Sequence, residues 1–160
     1  MSTTMSTTQA PVPAITNDAV VPSTPRKLFV NIPVDDLQRS ITFFEALGFQ
    51  FSRQFTSADG TCMLVGADAY MMLLTRERFG GFSHRPVPDP REGLGALFTF
   101  SVESREAVDA MVRAAVAAGG SYHVDAPEDH GFMYDWSFLD PDEHGFGVFW
   151  MDPAALPAGA

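Results

Sequence analysis

The chain has 160 residues, 46% of them hydrophobic and 19% charged, proportions of an ordinary globular protein that argue against wholesale disorder and against a membrane class. Twenty acidic residues against ten basic ones give a formal charge of −10, a field that repels phosphate backbones and anionic lipid, so neither nucleic acid nor a membrane is expected as a partner. This length suits one domain, or two half-domains that share a core.

Residues 1–26, rich in Ser, Thr, Pro and Ala, carry no basic start and no apolar run of signal-peptide length, and are expected to form a disordered leader. The repeated Met-Ser-Thr-Thr at Met1 and Met5 admits an alternative translation start. Cys62 is the single cysteine and cannot form an internal disulfide, which fits a reducing, cytoplasmic location. Its flanks, Thr61 and Met63-Leu64-Val65, read as a strand, so a buried and inert thiol is expected.

From Lys27 to Val34 the sequence puts Leu28, Val30, Ile32 and Val34 on one face and Phe29, Asn31 and Pro33 on the other, the period-two mark of a strand. Pro33 suits a sheet edge or a strand end. Asp35 or Asp36 then caps a helix lined by Leu37, Ile41, Phe44 and Leu47 and stopped by Gly48. Strands follow at Phe49 to Thr56, Thr61 to Val65 and Tyr70 to Thr75, separated by the Ala58-Asp59-Gly60 and Gly66-Ala67-Asp68 turns. The first half, about 27–76, is therefore βαβββ. A Gly- and Pro-rich connection, 77–95, has no periodic segment of its own.

The second half, about 96–151, repeats the order. Leu94 to Val102 reads as a strand, and Ser104 caps a helix that buries Val108, Met111, Val112, Ala115 and Val116 and ends at Gly119-Gly120. Strands then fit Ser121 to Asp125, Met133 to Leu139 and Phe146 to Met151, with a turn at Asp140-Pro141-Asp142-Glu143 and a tail over 154–160. No Gly-x-Ser-x-Gly elbow or phosphate-binding glycine loop occurs, which disfavours nucleophilic serine and nucleotide chemistry.

The segment NIPVDDLQRSITFFEALGF, Asn31 to Phe49, and the ending HGFMYDWSFLDPDEHGFGVFWMDP, His130 to Pro153, resemble the opening and closing elements of the vicinal oxygen chelate superfamily. This is the group of glyoxalase I, bleomycin-resistance proteins and extradiol dioxygenases. The resemblance covers about Lys27 to Pro153. It implies an α+β fold of two βαβββ modules, with a cup-shaped, mostly antiparallel sheet and helices outside. It also implies pairing of modules within one chain or between two, and a homodimer is expected.

In the metal-using members, as the resemblance implies, four side chains point into the cup. Carried over, these positions fall at Phe29, Met72, Leu97 and Gly147, none of which offers a carboxylate or imidazole to a divalent ion. The expected state is therefore without metal or other cofactor, a divalent metal at a different site being the alternative. Strand parity adds neighbours to the same walls: Asn31, Pro33, Tyr70, Leu74, Thr99, Ser101 and Phe149. Trp136 and Trp150 offer faces for stacking, and Trp136 joins the expected ligand-binding set.

The histidines are His84, His123, His130 and His144, with Asp129 beside His130 and Glu143 beside His144, in no familiar metal-ligand spacing. His130 and Tyr134 are the candidate general acid and base. Two functions stay open. One is a protein that binds a small aromatic or cationic compound in an apolar cup, as bleomycin-resistance members do. The other is an enzyme, either a glyoxalase- or dioxygenase-like metalloenzyme with relocated ligands or a metal-free isomerase using His130 and Tyr134.

Overall fold

The computed structural model describes residue 24 and residues 26–155. The leader expected over 1–26 and the tail expected over 154–160 fall mostly outside the described residues. The first module consists of β1 (Leu28–Val34), α1 (Leu37–Ala46), β2 (Gln50–Ser52), β3 (Gly60–Leu64) and β4 (Ala69–Thr75), followed by a short helix, α2 (Arg76–Gly80). The second consists of β5 (Leu97–Ser101), α3 (Arg105–Ala117), β6 (Ser121–Tyr122), β7 (Glu128–Asp129), β8 (Met133–Leu139) and β9 (Gly145–Met151).

Each module forms its own sheet, in the orders β1-β4-β3-β2 and β5-β9-β8-β6, with β7 added to the edge of β8. In both, the first and last strands pair in parallel while the other contacts are antiparallel. The fold is thus the expected α+β repeat of βαβββ, but the two sheets are not closed into one.

Local chemistry sets the helix ends. Of the two aspartates offered as caps, Asp36 accepts the Arg39 N–H at 2.9 Å, whereas Asp35 pairs with the guanidinium groups of Arg76 and Arg91. Ser104 accepts the Ala107 N–H at 3.0 Å, and the chain leaves α1 and α3 through Gly48 and Gly119 at φ +92° and +107°.

The core is continuous across the modules. Ile32, Val34, Met63 and Leu73 of the first sheet and Phe138, Phe146 and Val148 of the second belong to one buried cluster with Phe43, Phe44, Val108 and Val112. Phe44 on α1 meets Phe146 on β9 edge-on at 5.3 Å between ring centroids, and Phe43 meets Phe138 on β8 at 6.0 Å. Helix α1 is therefore covered on two sides. This explains why Ser40 and Phe43 are buried beyond the single stripe that periodicity indicates.

A buried polar clasp joins the same modules. Asp142 accepts the Arg39 guanidinium at 2.8 Å, the Asp35 N–H at 3.2 Å and the Ser40 hydroxyl at 3.4 Å. Asp140 takes the N–H groups of Asp142 and His144 on one carboxylate oxygen, while its other oxygen is buried with no partner. Burial pushes the Asp140 carboxyl up to about 6, its neighbours notwithstanding.

Several elements differ from the sequence reading. The connection, which shows no periodic segment in the sequence, opens with α2, whose Thr75 hydroxyl accepts the Arg78 N–H; a helix of this length is too short to show a period. Strand β2 stops at Ser52 and gives way to a tight turn over Arg53–Phe55, where Thr56 bonds the Ser52 carbonyl at 2.7 Å. β5 starts at Leu97 rather than Leu94, and the strand expected over Ser121 to Asp125 shrinks to β6, beyond which the Val124 carbonyl is taken by the Trp136 indole N–H.

Candidate functional site

Because both helices pack on one face of each sheet, the opposite faces are left as the cup faces. On the second sheet, strand register places Thr99 beside Gly147 and Ser101 beside Phe149, with Ser137 and Asp135 on the next strand in line with them. Leu97, Thr99, Asp135, Gly147, Phe149 and Met151 line a hollow of about 460 Å³ on this face. Leu97 is 61% exposed there. The expected grouping of Leu97, Thr99 and Ser101, and of Gly147 with Phe149, is thus one continuous surface.

Gly147 has a steric reason to lack a side chain. A Cβ would lie 2.9 Å from Thr99 Oγ1 and 3.2 Å from its Cγ2, so the glycine accommodates the neighbouring threonine rather than enlarging the hollow.

On the first sheet, Phe29 pairs with Tyr70, Asn31 with Met72 and Pro33 with Leu74. Phe29 and Tyr70 stack at 4.7 Å with an interplanar angle of 14°, forming an aromatic platform in which Phe29 is 49% exposed. Asn31 lies beside Phe79, Phe82 and Ser83 in a second hollow, also of about 460 Å³, so α2 and the residues after it wall one end of this face. A larger hollow of about 580 Å³ lies between α1 and β2, but charged Glu45 and Arg53 rim it and no expected site residue enters it.

Trp136 borders the hollow on the second sheet but is only 6% exposed: it stacks on Tyr122 at 5.2 Å and spends its N–H on the Val124 carbonyl. One expected assignment does not hold. His130 and Tyr134 do not form a pair. The Tyr134 hydroxyl donates to Asp109 of α3 at 2.8 Å on the helix face, and burial, then Asp109, holds its proton more tightly than usual. The His130 ring instead lies 3.2 Å from Asp135 on the cup side. Trp150 also belongs to the helix face, where the Arg105 guanidinium covers it and Tyr134 at 5.0 and 5.3 Å.

Among the other histidines, His84 is exposed in the connection, His123 borders the hollow on the second sheet, and His144 is buried in the clasp. Cys62 is a buried free thiol, its proton held more tightly by burial, as expected of an inert strand cysteine.

Phe29, Met72, Leu97 and Gly147 offer a ring already stacked on Tyr70, a thioether, an exposed alkyl group and a hydrogen packed under Thr99. This donor set does not fit a divalent ion at the superfamily's usual position.

Comparison with known proteins agrees with the architecture. The family model described as bleomycin resistance protein-like N-terminal matches residues 26–66. No curated protein sequence gives a significant match. A hypothetical protein from S. aureus of solved structure is 25% identical, with a TM-score of 0.68 over 80% of this chain and 95% of its own. A glyoxalase/bleomycin resistance protein/dioxygenase family enzyme from Burkholderia phytofirmans PsJN is also 25% identical, with a TM-score of 0.64 over 77% of this chain and 96% of its own. A glyoxalase-related enzyme from Fulvimarina pelagi, at 16% identity and a TM-score of 0.68 over 86% of this chain and 94% of its own, shares the fold. Two βαβββ modules, each with an uncovered sheet face, define a glyoxalase/bleomycin-resistance fold. The partial family-model match and these structural likenesses support a place in the vicinal oxygen chelate superfamily.

Proposed function

We propose that this protein binds a small, partly aromatic or cationic compound in an apolar cup, in the manner of bleomycin-resistance members, and that two copies of the chain complete the cup. The observation that carries this reading is the hollow over Leu97, Thr99, Gly147 and Phe149, which is open and mainly apolar on a face that no other part of the described chain covers. The Phe29–Tyr70 platform is the matching open surface on the first module. A second copy that laid one face over the other would bury both and leave Asn31, Thr99 and Asp135 as polar points for orienting a ligand. The net charge of −10 favours a cationic ligand and disfavours nucleic acid.

Among the described residues no helix is long and apolar enough to cross a membrane. The buried free thiol suits a reducing cytoplasm. The separation of His130 from Tyr134 weighs against the metal-free isomerase reading. Thermal-shift and calorimetric titration with cationic glycopeptides and planar aromatic compounds tests the function. A saturable shift that Phe149→Ala or Thr99→Val removes supports it, and no shift across such a panel at millimolar concentration overturns it.

A further inference from the structure

Strand β7 exists to pair with β8, and its register sets Glu128 directly opposite Asp135. Like charges facing each other across an antiparallel pair destabilise it. The adjacent Asp129 shows how this chain handles such a charge elsewhere: the Arg105 guanidinium reaches it at 2.6 Å and the Gly131 N–H at 2.9 Å, and the arginine chiefly holds its carboxyl below the usual range. Glu128 and Asp135 have no lysine or arginine within salt-bridge reach among the described residues. What they share is His130, with Nε2 3.2 Å from Asp135 Oδ2 and 3.4 Å from Glu128 Oε2, all three donor atoms lying within 4.8 Å of one another.

These separations have a chemical meaning. Two ligands bound about 2.1 Å from one ion, at octahedral to tetrahedral angles, sit about 3.0 to 3.4 Å apart. The two distances from His130 fall in that interval. We propose that Glu128, His130 and Asp135 bind a divalent first-row transition-metal ion at the rim of the second sheet's cup face. One imidazole and two carboxylates suit zinc, cobalt or manganese, whereas so few oxygen donors fit calcium poorly. The site uses none of Phe29, Met72, Leu97 and Gly147, and it does not depend on the cup reading. Asp135 also borders the hollow, so a bound ion would place positive charge at its mouth while leaving coordination positions for water or ligand oxygen.

The test is calorimetric titration of the full chain, stripped with chelator, with zinc chloride and with cobalt chloride, the latter also followed by its visible ligand-field bands. The expected result is one ion per chain with a dissociation constant on the order of 10 µM or below. His130→Ala and Asp135→Asn should each weaken binding by about 100-fold or more and abolish the cobalt bands, whereas His84→Ala should leave both unchanged. Glu128→Gln, a conservative change at an exposed position, should weaken binding without lowering the metal-free melting temperature. No stoichiometric binding, or binding that His130→Ala and Asp135→Asn leave intact, overturns the site. Failure of the aromatic or cationic compounds to bind would leave these results untouched.

Discussion

His144 Nε2 lies 2.6 Å from the carbonyl oxygen of Pro33, so an imidazole N–H in the turn before β9 donates to the edge strand of the other module. A proline has no N–H to offer a sheet, but its carbonyl remains available, and here it accepts from across the modules. With Asp142 on Arg39 and Asp35, this bond fixes the β8–β9 turn against the start of α1. Polar fixing and aromatic packing thus act on the same pair of elements.

Phe146 is the ring through which most of that packing passes. It stacks on Phe138 at 5.4 Å and also meets Phe44, Phe98 and Phe100. Phe146→Ala should cost about 3 to 5 kcal/mol and still give a single transition in urea, since both modules lose the same contact. Two resolved transitions in the parent protein would contradict a shared core.

The clasp makes stability depend on pH. Asp140, 2% exposed, has its carboxyl raised from 3.8 to about 6 by burial, so the folded state holds its proton more tightly than the unfolded chain does. This contribution is lost as pH rises through 6 and gained as pH falls toward 4. Between pH 7.5 and 5 it amounts to roughly 1.4 kcal/mol. Asp140→Asn should remove this gain, so the parent's advantage over the variant in denaturant midpoint should widen on acidification. Parallel pH curves for the two proteins would refute the assignment.

Leu97 tests the assembly without touching the core. Its side chain is 61% exposed on the uncovered face, so Leu97→Arg should leave the fold of the single chain intact, with an unchanged far-UV circular dichroism spectrum. If a second copy covers this face, the same variant should sediment as a monomer at micromolar concentration where the parent is a dimer. Equal sedimentation of the two would remove this face from the interface.

Glu143 adopts φ +66° in the turn between β8 and β9, a conformation that costs an L-residue about 1 kcal/mol and glycine almost nothing. Its backbone N–H bonds the Asp140 carbonyl at 2.9 Å and its side chain is exposed, so nothing else should be lost on substitution. Glu143→Gly should raise stability by about 0.5 kcal/mol, the strain relieved exceeding the added freedom of the unfolded chain. Denaturant melts of the two proteins decide the sign.

Much of the fold could be read from residue order because its signals are local. The apolar alternation over Met133 to Leu139, ended by Asp140-Pro141, matches β8 residue for residue, and the capping Ser104 and stopping Gly119 bound α3 as expected. The wider burial of α1 was not legible, since Ser40 and Phe43 are covered by a distant segment rather than by their own module alone. The burial of Trp136 had a cue: Tyr134, Trp136 and Phe138 alternate with Asp135 and Ser137, and the larger apolar set belongs to the core. The meeting of Glu128, His130 and Asp135 had no such cue. It depends on the register across Gly131, at φ +80°, and β7 is too short to announce itself by periodicity.

The docking of Phe43 and Phe44 on the second sheet also bears on how the chain could be divided. A fragment ending near Gly81 would carry both rings on a helix whose covering strands were missing, and would be prone to clump. Supplied together with the remainder, the same fragment has a surface waiting for it. A break placed in the exposed stretch 92–96 should therefore be tolerated, with the severed pieces reassembling around the aromatic cluster.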